Sequence, residues 1–230
     1  MKFKIFILII FSLVSCNSDQ PEPNFYRNEF TGEILTKLEF EQFNKNLVPD
    51  TAKEKSLLGY IFPEIIKHGD SIIQPFKYDL RIDNKYIQRS MKYDKIGLSL
   101  KSHKFNLLNG ESLIIGGKTD KPTFINLWFT TCSGCIKEIP ILNEIQEKYK
   151  NKINFIAITF NEEKEVKKFL EKKEFNFKHL VNQKEFIEKI SSHPYPENIL
   201  IDKNGTIRYI EPQIIKYEIN YFEEIIEKLL

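Results

Sequence analysis

Phe124-Ile125-Asn126-Leu127-Trp128-Phe129-Thr130-Thr131-Cys132-Ser133-Gly134-Cys135 decides how this chain is read. Its first six residues form an apolar run of strand length, bounded so as to suit a buried strand. Directly after it, Ile136, Ile139, Leu142, Ile145 and Tyr149 recur at threes and fours, the stripe of an amphipathic helix. The two cysteines therefore stand where a strand hands over to a helix, in the first helical turn. There they can close a small-loop disulfide, and the positive end of the helix dipole stabilises a thiolate on Cys132. The chemistry that suits this placement is thiol–disulfide exchange.

Regular elements continue on both sides. Upstream, residues 104–108 and 112–115 flank Asn109-Gly110, a hairpin with a glycine turn. Downstream, residues 153–160 are apolar and partly β-branched, as a buried parallel strand should be. A helix over 162–173 carries Val166, Phe169 and Leu170. A strand follows over 177–181, then a short helix with Asn182 as N-cap and Glu185 three residues later. Residues 199–202 and 206–210 flank Asn204-Gly205 as a second hairpin. The last helix lines up Ile215, Ile219, Phe222, Ile225, Ile226 and Leu229.

Residues 25–95 carry no motif with chemistry and form an accessory region. Thr36 and Glu39 read as a capping box ahead of a helix with Phe40, Phe43 and Leu47. An apolar patch over 57–66 is broken by Pro63, and residues 71–82 alternate as a strand around Pro75.

Residues 1–15 have a basic start, Lys2 and Lys4, and a ten-residue apolar core at 5–14. The core is half the roughly 20 residues of a membrane-spanning helix, so it reads as an export signal. Leu13-Val14-Ser15-Cys16 resembles a bacterial lipobox, which implies lipidation of Cys16 and a mature chain beginning there. Residues 16–24, polar and bearing two prolines, are then a tether.

The alternative is an ordinary signal peptide that ends near a cysteine; on the lipobox resemblance, lipidation takes Cys16 of the three cysteines and leaves Cys132 and Cys135 as one pair, with none for a structural disulfide. Stability must come from an ordinary core, which 19 Phe can supply. Loss of Lys2 and Lys4 leaves 32 basic against 32 acidic residues, so nucleic acid is not an expected partner and no polybasic patch serves a membrane. Metal is not expected: structural zinc wants four ligands, and His68, His103, His179 and His193 offer neither a pair nor a second Cys-x-x-Cys. Copper held by both thiolates and His193 is likewise set aside. Ile136 stands where haem attachment needs histidine, and Phe129 stands where a peroxiredoxin has threonine.

The order strand, helix, strand, helix, strand, hairpin and helix, with Cys-x-x-Cys opening the first helix, resembles the thioredoxin superfamily over roughly residues 96–230. Trp128 lies four before Cys132, Pro140 five after Cys135, and Pro196 begins a strand as the family's cis proline does. The leading hairpin, Asn126 and Glu138 resemble its exported TlpA/ResA-like branch. The resemblance implies an α/β fold, a central mixed sheet flanked by helices, with an N-terminal hairpin and the accessory region ahead of it. It implies Cys132 as nucleophile and Cys135 as resolving thiol. It also implies a substrate chain held by the backbone at Tyr195 and Pro196, with Trp128 beneath the cysteines and grouped with the substrate-binding residues. No cofactor is implied. Implied partners are exported proteins with disulfides or thiols and an integral membrane electron donor, at a membrane facing the periplasm or the exterior. Relatives of this branch are mostly reductants, with cytochrome c maturation a common setting.

Departures bear on that expectation. Thr131 replaces a frequent tryptophan, and Ser133-Gly134 lacks the usual proline at the second place, which leaves more backbone freedom. Asn126 stands where cytoplasmic thioredoxins keep a buried acid, and an amide cannot take the proton of Cys135. Another base, or water, is required. These departures motivate the alternative of a thioredoxin-fold binding module with weak redox activity, whose main task belongs to residues 25–95. His193, three before Pro196, is a rim residue or simply a solvated one.

Overall fold

The computed structural model describes residues 22–230 apart from Asn84, Lys92, His193 and Pro194. The stretch expected to be an export signal, Cys16 and His193 thus lie outside the described residues. After Met91 the chain divides into two compact units.

The first unit comprises β1 (Phe25–Asn28), β2 (Ile34–Thr36), α1 (Lys37–Leu47), β3 (Ser56–Ile61), β4 (Ile66–His68), β5 (Ser71–Ile82) and β6 (Lys85–Gln88). The long strand β5 organises it, pairing parallel with β1 and antiparallel with β3, β4 and β6. Along β5, pairing with β4 ends at Ile73 and pairing with β3 begins at Lys77, so Pro75, opposite Arg27 of β1, falls in the gap between β4 and β3. α1 starts at a capping box in which the Thr36 side chain accepts from the Glu39 N–H and the Glu39 carboxylate accepts from the Thr36 N–H. The helix brings Phe40 onto the sheet, stacked on Tyr26 at 4.1 Å between centroids and tilted on Phe76 at 4.8 Å. Phe43, Tyr60 and Tyr78 complete this aromatic core.

The second unit contains β7 (His103–Asn106), β8 (Ser112–Ile115), β9 (Thr123–Leu127), α2 (Ser133–Tyr149), β10 (Asn154–Ile158), α3 (Glu163–Leu170), β11 (Lys178–Leu180), α4 (Lys184–Ile190), β12 (Glu197–Ile201), β13 (Ile207–Glu211) and α5 (Ile219–Glu227). β7 and β8 form the expected antiparallel hairpin. The main sheet runs β11-β10-β9-β12-β13, parallel across its first three strands and antiparallel across the rest. This is the thioredoxin-like mixed sheet. Strand alternation sorts the two faces: Phe124 and Trp128 join α2, Val166 and α5 on one side, whereas Ile125 and Leu127 join the hairpin and α4 on the other. Each fully buried Ile, Leu or Phe contributes about 1.5–3 kcal/mol, which supports the fold with no structural disulfide outside the Cys132–Cys135 pair.

One local expectation is corrected. Asn182 does not cap α4: its φ is 58°, the left-handed region that Asn tolerates, and Gln183 is the N-cap without a side-chain bond. Asn182 ends the loop from β11 with its N–H on the Asn161 carbonyl instead.

Candidate active site

β9 delivers the chain to α2 through a short turn. The Thr130 N–H donates to Asn161 Oδ1 at 2.9 Å, and the Cys132 N–H to the Phe129 carbonyl at 3.1 Å. Cys132 is the N-cap of α2, and its Sγ accepts from the Cys135 N–H at 3.1 Å. Serine and aspartate do the same at helix starts, where the first amides lack intrahelical partners. Cys132 and Cys135 are joined, Sγ to Sγ at 2.04 Å with 5.3 Å between Cα atoms. Cys132 keeps a small exposed area, 6% against 1% for Cys135, so the outer residue of the pair is Cys132.

The tyrosine–proline peptide at Tyr195-Pro196 is cis. Pro196 lies against the helix start: a Cβ built on Gly134 would stand 3.3 Å from Pro196 Cδ. The segment ahead of it is anchored by Glu197, whose carboxylate accepts from the Ser192 N–H at 3.0 Å. Tyr195, Phe129 and Phe160 form a mutual aromatic trio with centroids 5.3 to 5.8 Å apart. Burial, with the negative charges of Glu197 and Glu188, pushes the Tyr195 phenol up to about 12, so it stays protonated.

Trp128 is corrected. It is fully buried, packed on Phe169, Phe175 and His179, and offers no surface to a substrate. Its ring supports the site from within the core that also holds both cysteines. Burial keeps the neighbouring His179 imidazole below its usual range, and its Nε2 donates to the Phe175 carbonyl at 3.1 Å.

Sequence reading noted Glu138 without assigning it a task. One turn beyond Cys135 on the buried face of α2, its side chain is inaccessible to solvent. Oε1 accepts from Asn126 Nδ2 at 2.8 Å; Oε2 accepts from the Ile214 N–H at 2.9 Å and from Asn198 Nδ2 at 3.2 Å. Asn126 gives its other amide hydrogen to Asn198 Oδ1, and Asn198 its other to the Pro212 carbonyl, each at 2.9 Å. All four amide hydrogens are therefore used. Burial pushes the Glu138 carboxyl up to about 7, the hydrogen bonds from Ile214, Asn126 and Asn198 only partly opposing it. The available signal was a lone acid on an otherwise apolar helix face, three residues past the second cysteine.

Among the described residues no group of three or more His, Cys, Asp or Glu side chains is placed to hold a metal ion. No helix among them is long and apolar enough to cross a membrane.

Comparisons with known proteins agree with this geometry. The chain is 27% identical over 107 residues to the thioredoxin-like protein YneN of Bacillus subtilis, covering 45% of this chain and 63% of that protein. It is 34% identical over 103 residues to the thiol-disulfide oxidoreductase ResA of Bacillus cereus, covering 44% and 60%. The chain thus spans about six tenths of the length of these relatives. Among solved structures, a Chlorobium tepidum protein named for thiol:disulfide interchange, DsbE, superposes with a TM-score of 0.53 at 19% identity, covering 58% of this chain and 96% of that one. A Bacteroides thetaiotaomicron protein named as a disulfide isomerase gives 0.51 at 20%, covering 59% and 89%. Both show the fold. The Redoxin family pattern matches residues 98–225, more than half of the chain, with the whole main sheet and both cysteines of α2's start inside it, and the chain belongs to the Redoxin family.

Proposed function

We propose that this protein is a thiol–disulfide oxidoreductase. The observation that carries the reading is the Cys132–Cys135 pair at the start of α2, with the Cys135 N–H on Cys132 Sγ. In the reduced form that N–H and the helix dipole favour a Cys132 thiolate. The thiolate attacks one sulfur of a substrate disulfide, forming a mixed disulfide and expelling the other substrate sulfur as thiolate. Cys135 then attacks Cys132 Sγ, re-forms the internal bond and releases the second substrate thiol. Substrate leaves with two electrons gained, and the protein holds the disulfide. Cys135 must lose a proton first, and Glu138, with a carboxyl near 7 on the same helix face, is the group suited to take it. Backbone at Tyr195 and Pro196 would hold the substrate chain.

The direction favoured is reduction of exported proteins, fed by an integral membrane donor, with cytochrome c maturation as a setting; the ResA resemblance supports it. Lipidation at Cys16 would hold the site near that donor, since two acyl chains anchor durably where one does not. Loss of membrane partition and of metabolic lipid label in Cys16→Ser is the expected result, and unchanged partition would refute the anchor.

Reduction of insulin disulfides tests the activity. Cys132→Ser should abolish it, and Cys135→Ser should trap a covalent mixed disulfide. Unchanged turnover in Cys132→Ser would overturn the assignment. A second reading, a binding module, draws on Leu57, Ile61, Phe62 and Ile66, which stand exposed along β3 and β4. Leu57→Ser with Ile61→Ser should then lose a partner complex while leaving insulin reduction intact.

A further inference from the structure

Gln213 closes over the slot that Gly134 leaves open. A Cβ on Gly134 would lie 3.4 Å from Gln213 Oε1 and 3.7 Å from its Cδ, beside the 3.3 Å approach of Pro196. The carboxamide and Pro196 thus both approach the first turn of α2 at Gly134. It is half-buried and makes no hydrogen bond among the described residues. Its backbone is pinned on both sides: the Pro212 carbonyl accepts from Asn198, and the Ile214 N–H donates to Glu138. A carboxamide offers a donor and an acceptor side by side, the pair that one peptide group of an extended chain can satisfy. An aliphatic side chain of similar length would fill the same space, so the carboxamide adds a hydrogen-bonding capacity that packing does not require.

We propose that Gln213 is a substrate-positioning residue that hydrogen-bonds the main chain of the polypeptide whose cysteine exchanges at Cys132. The inference rests on the thiol–disulfide reading and extends it. Tyr195-Pro196 holds one side of the bound segment and Gln213 the other. The pinned backbone means little ordering is needed when the segment arrives. The substrate class is therefore an extended polypeptide flanking a cysteine, rather than a small disulfide with no peptide groups.

The test compares wild type, Gln213→Met and Gln213→Ala in the full chain, reducing insulin and, separately, hydroxyethyl disulfide. Methionine keeps the volume and loses both hydrogen bonds. The expected result is a rise of about three- to tenfold in KM for insulin in both variants. The kcat and the rate with hydroxyethyl disulfide should match wild type. Met behaving as wild type while Ala is impaired would make Gln213 a packing residue and overturn the proposal. So would an equal loss on both substrates. A wild-type chain inert toward both disulfides would overturn the exchange reading and this inference with it.

Discussion

Asn126 Nδ2 donates to Glu138 Oε1 across 2.8 Å in a fully buried pocket beneath the cysteine pair. The strand here carries an amide, and the buried acid stands on the helix. The same two groups, with Asn198, tie β9, β12 and the segment after β13 to α2.

Glu138 should make stability fall as pH rises. Its folded value, about 7, lies above the 4.5 of a free carboxyl, so the folded state binds more protons between the two. The contribution is present in full below pH 4.5 and lost on passing through 7, a change of roughly 3 kcal/mol. Urea denaturation of wild type and Glu138→Gln across pH 4.5–8 measures it: the difference between the two should shift in favour of Gln from pH 4.5 to 7 and level off above. A difference independent of pH would refute the assignment. His179 acts in the opposite sense in both proteins, its lowered imidazole costing stability in acid, and so cancels in the comparison.

The same substitution should slow resolution. Glu138→Gln removes the proton acceptor, and loss of general-base assistance costs about a hundredfold or more. Rapid-quench alkylation should show the mixed disulfide accumulating, and the wild-type break near pH 7 in the release rate should vanish. A retained break would move the base elsewhere.

Gly134→Ala should fold and yet bind protein substrate less well. Alanine is the better helix former by up to about 1 kcal/mol, but its Cβ would press on Pro196 and on the Gln213 amide. The amide is the more compliant neighbour and should yield. An unchanged or raised melting temperature with a raised KM for insulin is the expected pair of results.

Asn126→Leu leaves Glu138 and Asn198 each short of a donor in a dry pocket. An unmet buried acceptor costs about 1–3 kcal/mol, so chemical denaturation should show a loss of that order or more. Asn126→Asp should be worse at pH 8 than at pH 5, because two buried carboxylates cannot both ionise cheaply.

In the first unit, Thr36→Ala deletes the hydroxyl that accepts from the Glu39 N–H and donates to the Glu39 carboxylate, while the Thr36 N–H keeps its bond to that carboxylate. A loss of about 1 kcal/mol is expected, read as faster amide exchange in α1, with the rate of insulin reduction unaltered.

The order of elements from residue 103 onward was legible because local rules govern it. The apolar run at 124–129, the helical stripe from Ile136 to Tyr149 and the glycine turns each depend on near neighbours, and the structure places these elements within a few residues of expectation. In the first unit the Thr36–Glu39 capping box was readable for the same reason. Asn182 misled because asparagine serves both helix caps and left-handed turns, and only the path of the loop from β11 chooses between them.

The sequence alone determined the cysteine pair, its position at a helix start and the strand that leads to it, since spacing along one chain suffices for each. Tertiary structure decided the rest. Hydrogen bonds among Asn126, Glu138, Asn198 and Ile214 bridge up to 76 residues and exist only once β9, β12 and α2 are packed. Trp128 could be read as a substrate contact until the sheet buried it, and Gln213 had no pattern to mark it at all. Burial and long-range approach depend on which surfaces meet, and that is a property of the packed sheet and helices rather than of any local run of residues.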